Sequence, residues 1–235
     1  MSEQVSFSRD DPTMLQVPGT QPGGKHRATL TVLAGPEYVL DLGTTLAGRA
    51  VLSGRTVLYV DGANAFDPYI ISRLAREAGQ SPRTVMQRLR LSRAFTCHQL
   101  ETLLVERLPE AIAHFRPGLV VISGWSHLFH DENVPTREAL RLLQGSAHRM
   151  RALAETGQPI LATHPEEPAT PRLRPLEEIL SDAADILLRL RGDGGRLLAV
   201  CEKPADSRSV RPLQAACKRD LPWVSRYRHR ELPVV

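Results

Sequence analysis

Residues 56–61, Thr-Val-Leu-Tyr-Val-Asp, constrain the fold more than any other stretch. The run is continuously β-branched and apolar, and it closes on Asp61-Gly62. A strand without polar alternation belongs inside a parallel sheet covered by helices on both faces. The pattern therefore predicts a central parallel strand with Asp61 at its carboxyl end, where open α/β sheets place their ligands. Asp-Gly is equally common turn chemistry. Asp61 thus reads either as a site residue or as the residue that starts the exit turn.

The rest of the chain alternates in the same sense. Residues 28–34 are predicted as the first strand and 40–52 as a helix. Residues 68–78 read as a helix with Pro68 at its start and Gly79 at its end. A short strand is expected around Leu89 and Leu91. Residues 97–115 read as a helix, because Leu100, Leu103, Leu104, Leu108, Ala111 and Ile112 recur at helical spacing. Residues 119–122 and 160–163 read as short buried strands, with a long helix over residues 136–155 between them. Residues 165–175 hold four prolines and read as a loop. Residues 185–191 and 196–202 read as a β-hairpin turning at residues 192–195, and the remainder of the chain reads as irregular and basic. The expected fold class is α/β: a mostly parallel central sheet flanked by helices, with an antiparallel hairpin extending one edge. Residues 1–27 form a polar lead-in, 28–210 the core domain and 211–235 a basic C-terminal segment.

Charge and cysteine usage narrow the function classes. Aromatic residues make up 5% of the chain, which argues against a single-strand binder built on base stacking. From Arg189 onward eleven Lys/Arg stand against five Asp/Glu. Such an end suits a phosphate-bearing partner, and equally a solvated basic face. Cys97, Cys201 and Cys217 are far apart and form no CxxC, which argues against a disulfide framework or zinc site and for a reducing cytoplasm. No signal-peptide pattern is read at the N-terminus. No apolar run approaches the roughly 20 residues that span a bilayer. The expected location is the cytoplasm, with no membrane partner.

Four stretches, in this order, resemble the RecA-like recombinase core, closest to the archaeal and eukaryotic strand-exchange recombinases and their paralogs. Val57-Leu58-Tyr59-Val60-Asp61-Gly62-Ala63-Asn64-Ala65-Phe66-Asp67-Pro68 resembles the family's second core strand and the turn after it. Ser92-Arg93-Ala94-Phe95-Thr96-Cys97-His98-Gln99 resembles its Arg-Ala…His-Gln segment, the most specific of the four. Leu119-Val120-Val121-Ile122-Ser123 falls where the Walker B strand belongs. Ile160-Leu161-Ala162-Thr163-His164-Pro165 falls where the family has a strand ending in Thr-Asn-Gln. The resemblance covers most of the chain, from about residue 29 to about residue 208.

The departures bear on activity. A P-loop wraps phosphate with glycine N–H groups, neutralises it with Lys and binds magnesium through Ser/Thr. The matching segment here is Gly35-Pro36-Glu37-Tyr38-Val39-Leu40-Asp41-Leu42. Gly35 remains, Leu40 stands for the second glycine, Asp41 for the Lys and Leu42 for the Ser/Thr. The Walker B carboxylate is Ser123, the catalytic glutamate is Ala63, and the Asn-Gln sensor is His164-Pro165. Losing even one electrostatic element of a phosphoryl-transfer site typically removes orders of magnitude in rate. The resemblance with these losses implies a degenerate ATPase: not an enzyme, with no catalytic residue, cofactor or metal.

Other constellations are open to the same residues. Asp61, Ser123 and His164 would share one rim as a hydrolase-like set, though Ser123 lies in no G-x-S-x-G elbow. His127, His130 and Asp131 read as a surface loop rather than a metal site. Cys97-His98 reads as packing and capping at a helix start rather than as a thiolate pair. The family's first DNA-contacting loop would lie near residues 130–137 and its second within 165–175. Nucleic-acid candidates are Arg172, Arg174, Lys218, Arg219, Arg226, Arg228 and Arg230, with Trp223 and Tyr227 interleaved. Phe7 is the sole Phe of the lead-in, where the family carries a Phe-containing segment that bridges protomers.

The resemblance thus implies a catalytically inactive recombinase-like protein acting in homologous recombination and DNA repair. It would work as a structural or adaptor subunit that binds a recombinase, polymerase or accessory factor, and DNA where the basic residues reach it. The alternatives are a non-hydrolysing nucleotide-binding regulator and a basic DNA-binding protein.

Overall fold

The computed structural model describes residues 6–7, 15–16, 30–166, 174–193, 196–203 and 210–213. An eight-stranded sheet carries helices on both faces. Two short antiparallel strands, β1 (Ser6–Phe7) and β2 (Leu15–Gln16), form a separate pair within the lead-in.

The main chain path then alternates. Strand β3 (Leu30–Gly35) leads into helix α1 (Val39–Leu52), and β4 (Val57–Asp61) into α2 (Pro68–Glu77). Asp67 caps α2 by accepting the Tyr69 N–H at 2.8 Å, and Pro68 occupies the first turn, where a missing N–H does no harm. A short helix α3 (Pro82–Met86) precedes β5 (Leu89–Arg93). The predicted helix over 97–115 runs as α4 (Cys97–Thr102), a π-helical turn (Leu103–Arg107) and α5 (Leu108–Phe115). Pro109 accounts for the widened turn, because it has no N–H to give and its ring displaces the carbonyl one turn back. Strand β6 (Leu119–Ser123), a 3-10 turn (His127–His130), α6 (Thr136–Glu155) and β7 (Ile160–Pro165) come next.

The sheet order is β10-β9-β8-β3-β7-β6-β4-β5, with β8 (Ile186–Asp193), β9 (Arg196–Lys203) and β10 (Val210–Leu213). Strands β8, β3, β7, β6, β4 and β5 are parallel, and β9 and β10 add on antiparallel. This is the expected α/β architecture with its antiparallel extension. Every residue of β3, β4, β6 and β7 is buried. Leu33, Tyr59, Val121 and Leu161 face α1 and α2, whereas Val32, Val60, Ile122 and Ala162 face α4 and α6. Burial on both faces is why the strands read as unbroken apolar runs.

Four expectations need correction. Strand β4 is flanked on both sides but lies second from the β5 edge, and β3 and β7 occupy the middle. Residues 174–183, split between the expected loop and an unassigned stretch, form helix α7 (Arg174–Ala183). Pro175 sits in its first turn, and Leu176, Leu180 and Ala183 are buried at helical spacing. The segment expected to be irregular after the hairpin includes β10, paired with β9 from Val210↔Val200 to Leu213↔Leu197. The hairpin strands are longer than expected and meet at Asp193↔Arg196.

Candidate functional site

The carboxyl ends of β3, β4, β6 and β7 bring the singled-out residues to one rim. At β3, where the resemblance would put a phosphate cradle, the connection is short and three of its N–H groups close back on it. Val39 N–H donates to the Pro36 carbonyl at 2.8 Å, Leu40 N–H to Glu37 at 3.1 Å and Leu42 N–H to Tyr38 at 3.1 Å. Pro36 has no N–H to offer. Leu40, Asp41 and Leu42 are all buried, at 6–7% exposure. Burial pushes the Tyr38 phenol up. The Glu166 N–H, coming off β7, donates to the Gly35 carbonyl at 2.7 Å. A Cβ on Gly35 would lie 2.9 Å from both Cβ and the carbonyl oxygen of Leu190. Glycine here permits β8 to pass close, not a ligand. Arg189 on β8 binds Glu166 and Glu202, the latter at 2.7 Å, and so ties the β7 exit to the hairpin.

Asp61 takes the turn-starting role of its two readings. It is fully buried and accepts the Ala65 and Phe66 N–H groups, each at 3.1 Å. Arg93 Nε lies 3.2 Å from it. Ser123 stands opposite Asp61 in the β4–β6 register, and its carbonyl accepts Gly62 and Ala63 N–H at 2.8 and 3.2 Å. Burial pushes the Tyr59 phenol up to about 12, partly offset by the Thr44 hydroxyl 2.9 Å away. The Ser123 hydroxyl is buried with no hydrogen-bond partner among the described residues.

The structure brings His164 to Ser126 rather than to Ser123. His164 Nδ1 lies 2.6 Å from Ser126 Oγ, and its Nε2 lies 3.7 Å from Glu177 Oε1. Ser126 is wholly buried, so the hydroxyl offers no approach to a substrate. Asp61, committed to its turn and to Arg93, completes no relay with this pair. Gly124 makes the arrangement: its φ is +66°, its N–H donates to Thr163 Oγ1 at 3.0 Å, and Trp125 N–H donates to the Thr163 carbonyl at 3.0 Å. The Gly-Trp-Ser immediately after β6 was the available signal for Ser126.

Two further constellations are resolved by burial and distance. Cys97 Sγ, His98 Nδ1 and Nε2, and Glu138 Oε1 form a row with steps of 3.5 and 2.9 Å. Cys97 is 1% exposed and burial pushes its thiol up, which is the reverse of an activated nucleophile. The rings of His127 and His130 are 6.3 Å apart, and among the described residues no group of three or more His, Cys, Asp or Glu is placed to hold a metal ion.

Of the nucleic-acid candidates, Arg174 is exposed at the first position of α7. Arg172, Lys218, Arg219, Arg226, Arg228 and Arg230 lie outside the described residues, as do Trp223 and Tyr227. Phe7 lies in β1.

The feature that the sequence reading missed is the β5 edge. Among the described residues β5 ends the sheet, and it is exposed from Arg90 to Arg93. Parallel pairing with β4 sends the backbone groups of alternate β5 residues outward. Leu91 is 39% exposed, Phe95 64% and Phe115 39%, with the Arg90 guanidinium 5.3 Å from the Phe115 ring centroid. Among the described residues no helix is long and apolar enough to cross a membrane. No protein-family model matches the chain, and no curated protein matches it significantly.

Proposed function

We propose that this chain is a RecA-like core without ATPase activity that acts as a structural or adaptor subunit in DNA recombination or repair, through protein binding. One observation carries the loss of chemistry: the β3–α1 connection is filled by its own backbone bonds, by buried Leu40, Asp41 and Leu42, and by the Glu166 N–H on Gly35. A triphosphate entering there would meet the Asp41 and Glu37 carboxylates where it needs cations and free N–H groups. The β5 edge supports a binding role. Unpaired strand groups beside exposed Leu91, Phe95 and Phe115 suit an extended segment of a partner that adds on as a further strand. The partner class is a recombinase, polymerase or accessory factor. The two buried free thiols, Cys97 and Cys201, suit a reducing cytoplasm.

The test is affinity capture from source cells at moderate salt with nuclease present, followed by mass spectrometry, with Leu91→Pro as the edge control. Recovery of a repair protein that Leu91→Pro loses supports the adaptor reading. Recovery of DNA alone, and only without nuclease, turns the case to a basic DNA binder. Heat of ATP–magnesium binding in calorimetry, with no partner captured, favours the nucleotide-binding regulator.

A further inference from the structure

His164 stands at the end of β7 with its two ring nitrogens in unlike situations. The residue is 4% exposed. Its Nδ1 contacts Ser126 Oγ at 2.6 Å, whereas its Nε2 is buried with no hydrogen-bond partner among the described residues. That Nε2 faces Glu177 Oε1 at 3.7 Å, across a gap too long for a hydrogen bond. Glu177 belongs to the first turn of α7, which packs on α6 and ends where Ala184 leads to β8.

A neutral imidazole carries one N–H, and a hydroxyl can donate or accept. Ser126 therefore satisfies Nδ1 in either tautomer. A proton added to the ring puts N–H on both nitrogens, and Nε2 then aims a charged donor at the Glu177 carboxylate. Charge-assisted bonds of this type settle at about 2.7–2.9 Å, so the first turn of α7 has reason to close on the rim. We propose that His164 and Glu177 form a proton-operated latch, which pins the start of α7 to the sheet rim more tightly when the imidazole is charged than when it is neutral. The latch is independent of the adaptor reading.

The neighbouring charges fix its sign. From α7, Glu177 and Arg174 face the contact, and from the 3-10 turn His130 does. From the β6 exit comes Ser126, which does not titrate here. At the same register in β3 stands Ala34, and beyond it Arg189 on β8 is engaged by Glu166 and Glu202. Between α4 and α6, His98 and Glu138 are bonded to each other. The His164 contact, more than the opposing effect of burial, holds the Glu177 carboxyl below its usual range, helped by His130 and Arg174. That direction favours the ionised carboxylate, the form the latch needs. Lowering the pH tightens the latch, and acid strong enough to protonate Glu177 loosens it again.

The experiment is hydrogen exchange of the full chain at about pH 7.5 and about pH 5.5, the range over which histidine changes charge, corrected for intrinsic rates and with α1, which carries no histidine, as the internal reference. Expected is a rise in the protection of α7 amides at the lower pH that stands clear of the reference amides. Glu177→Gln and His164→Gln should each flatten it, and His130→Gln should leave it in place. A flat profile in the unmodified chain, or a rise that survives Glu177→Gln, overturns the latch, as does its loss in His130→Gln. If Glu177→Gln does not fold by circular dichroism, Glu177→Asp serves instead. Its shorter side chain should weaken the rise, and an unchanged rise overturns the proposal.

Discussion

Arg93 holds its Nε 3.2 Å from the carboxylate of Asp61, a group with no exposed surface, while its own side chain remains 40% exposed. The pair links β4 to the edge strand at the register position Asp61↔Arg93. It also accounts for the carboxylate at the strand end. Two backbone N–H groups and one guanidinium occupy Asp61, so a carboxylate at the carboxyl end of a parallel strand serves to fold the exit turn and anchor β5.

Asp61→Ala should therefore destabilise the protein strongly. It leaves the Ala65 and Phe66 N–H groups and Arg93 without their acceptor. The expected loss is about 2 kcal/mol, because an orphaned buried donor such as the Phe66 N–H costs on that scale, whereas the half-exposed Arg93 keeps its hydration. Asp61→Asn keeps an acceptor oxygen and should lose less. Urea unfolding gives both values, and a loss below about 1 kcal/mol for Asp61→Ala would show that the turn does not depend on this carboxylate.

Two glycines should respond in opposite senses to alanine. At Gly124 φ is +66°, and a new Cβ would stand 2.4 Å from the Ala63 Cβ. Gly124→Ala should lose roughly 2 kcal/mol or more from the left-handed backbone and the forced repacking together. Gly145 lies within exposed helical surface on α6, where a Cβ meets nothing within 4 Å. Gly145→Ala should gain about 0.5–1 kcal/mol from helix propensity alone. Thermal melts of the two variants side by side check the contrast, and an equal response would refute the close Gly124–Ala63 packing.

The sheet was legible because its chemistry is local. A strand covered on both faces must be apolar throughout, and β3, β4, β6 and β7 are. Helix α6 came out at its full length because Leu140, Leu143, Ala147, Met150 and Leu153 repeat at helical spacing, although Leu142 rather than Leu140 is fully buried. Helix α7 was obscured by the prolines ahead of it, although Pro175 is a helix starter and Leu176, Leu180 and Ala183 are helically spaced after it. Edge exposure was not legible at β5, since Leu89-Arg90-Leu91 alternates in the same way whether or not a further strand covers it. Of the rim, the absence of P-loop residue types could be read directly from Leu40, Asp41 and Leu42. The Ser126–His164–Glu177 contact could not, because it joins residues 38 and 13 positions apart in three different elements.

Introducing P-loop residue types should not create nucleotide binding. The variant Leu40→Gly/Asp41→Lys/Leu42→Thr supplies the glycine, the ammonium and the hydroxyl that a P-loop uses. It leaves the short turn in place, with Val39 N–H on Pro36, Leu42 N–H on Tyr38 and Glu166 N–H on Gly35. The donors that would wrap a phosphate stay occupied. The new Lys would also sit at a position only 7% exposed, where an unpaired charge is disfavoured. The expected result is no ATP–magnesium heat in calorimetry and a lower urea midpoint than the unmodified chain. Saturable ATP binding by this variant would mean that the turn opens readily, and that residue identity rather than backbone closure limits binding there.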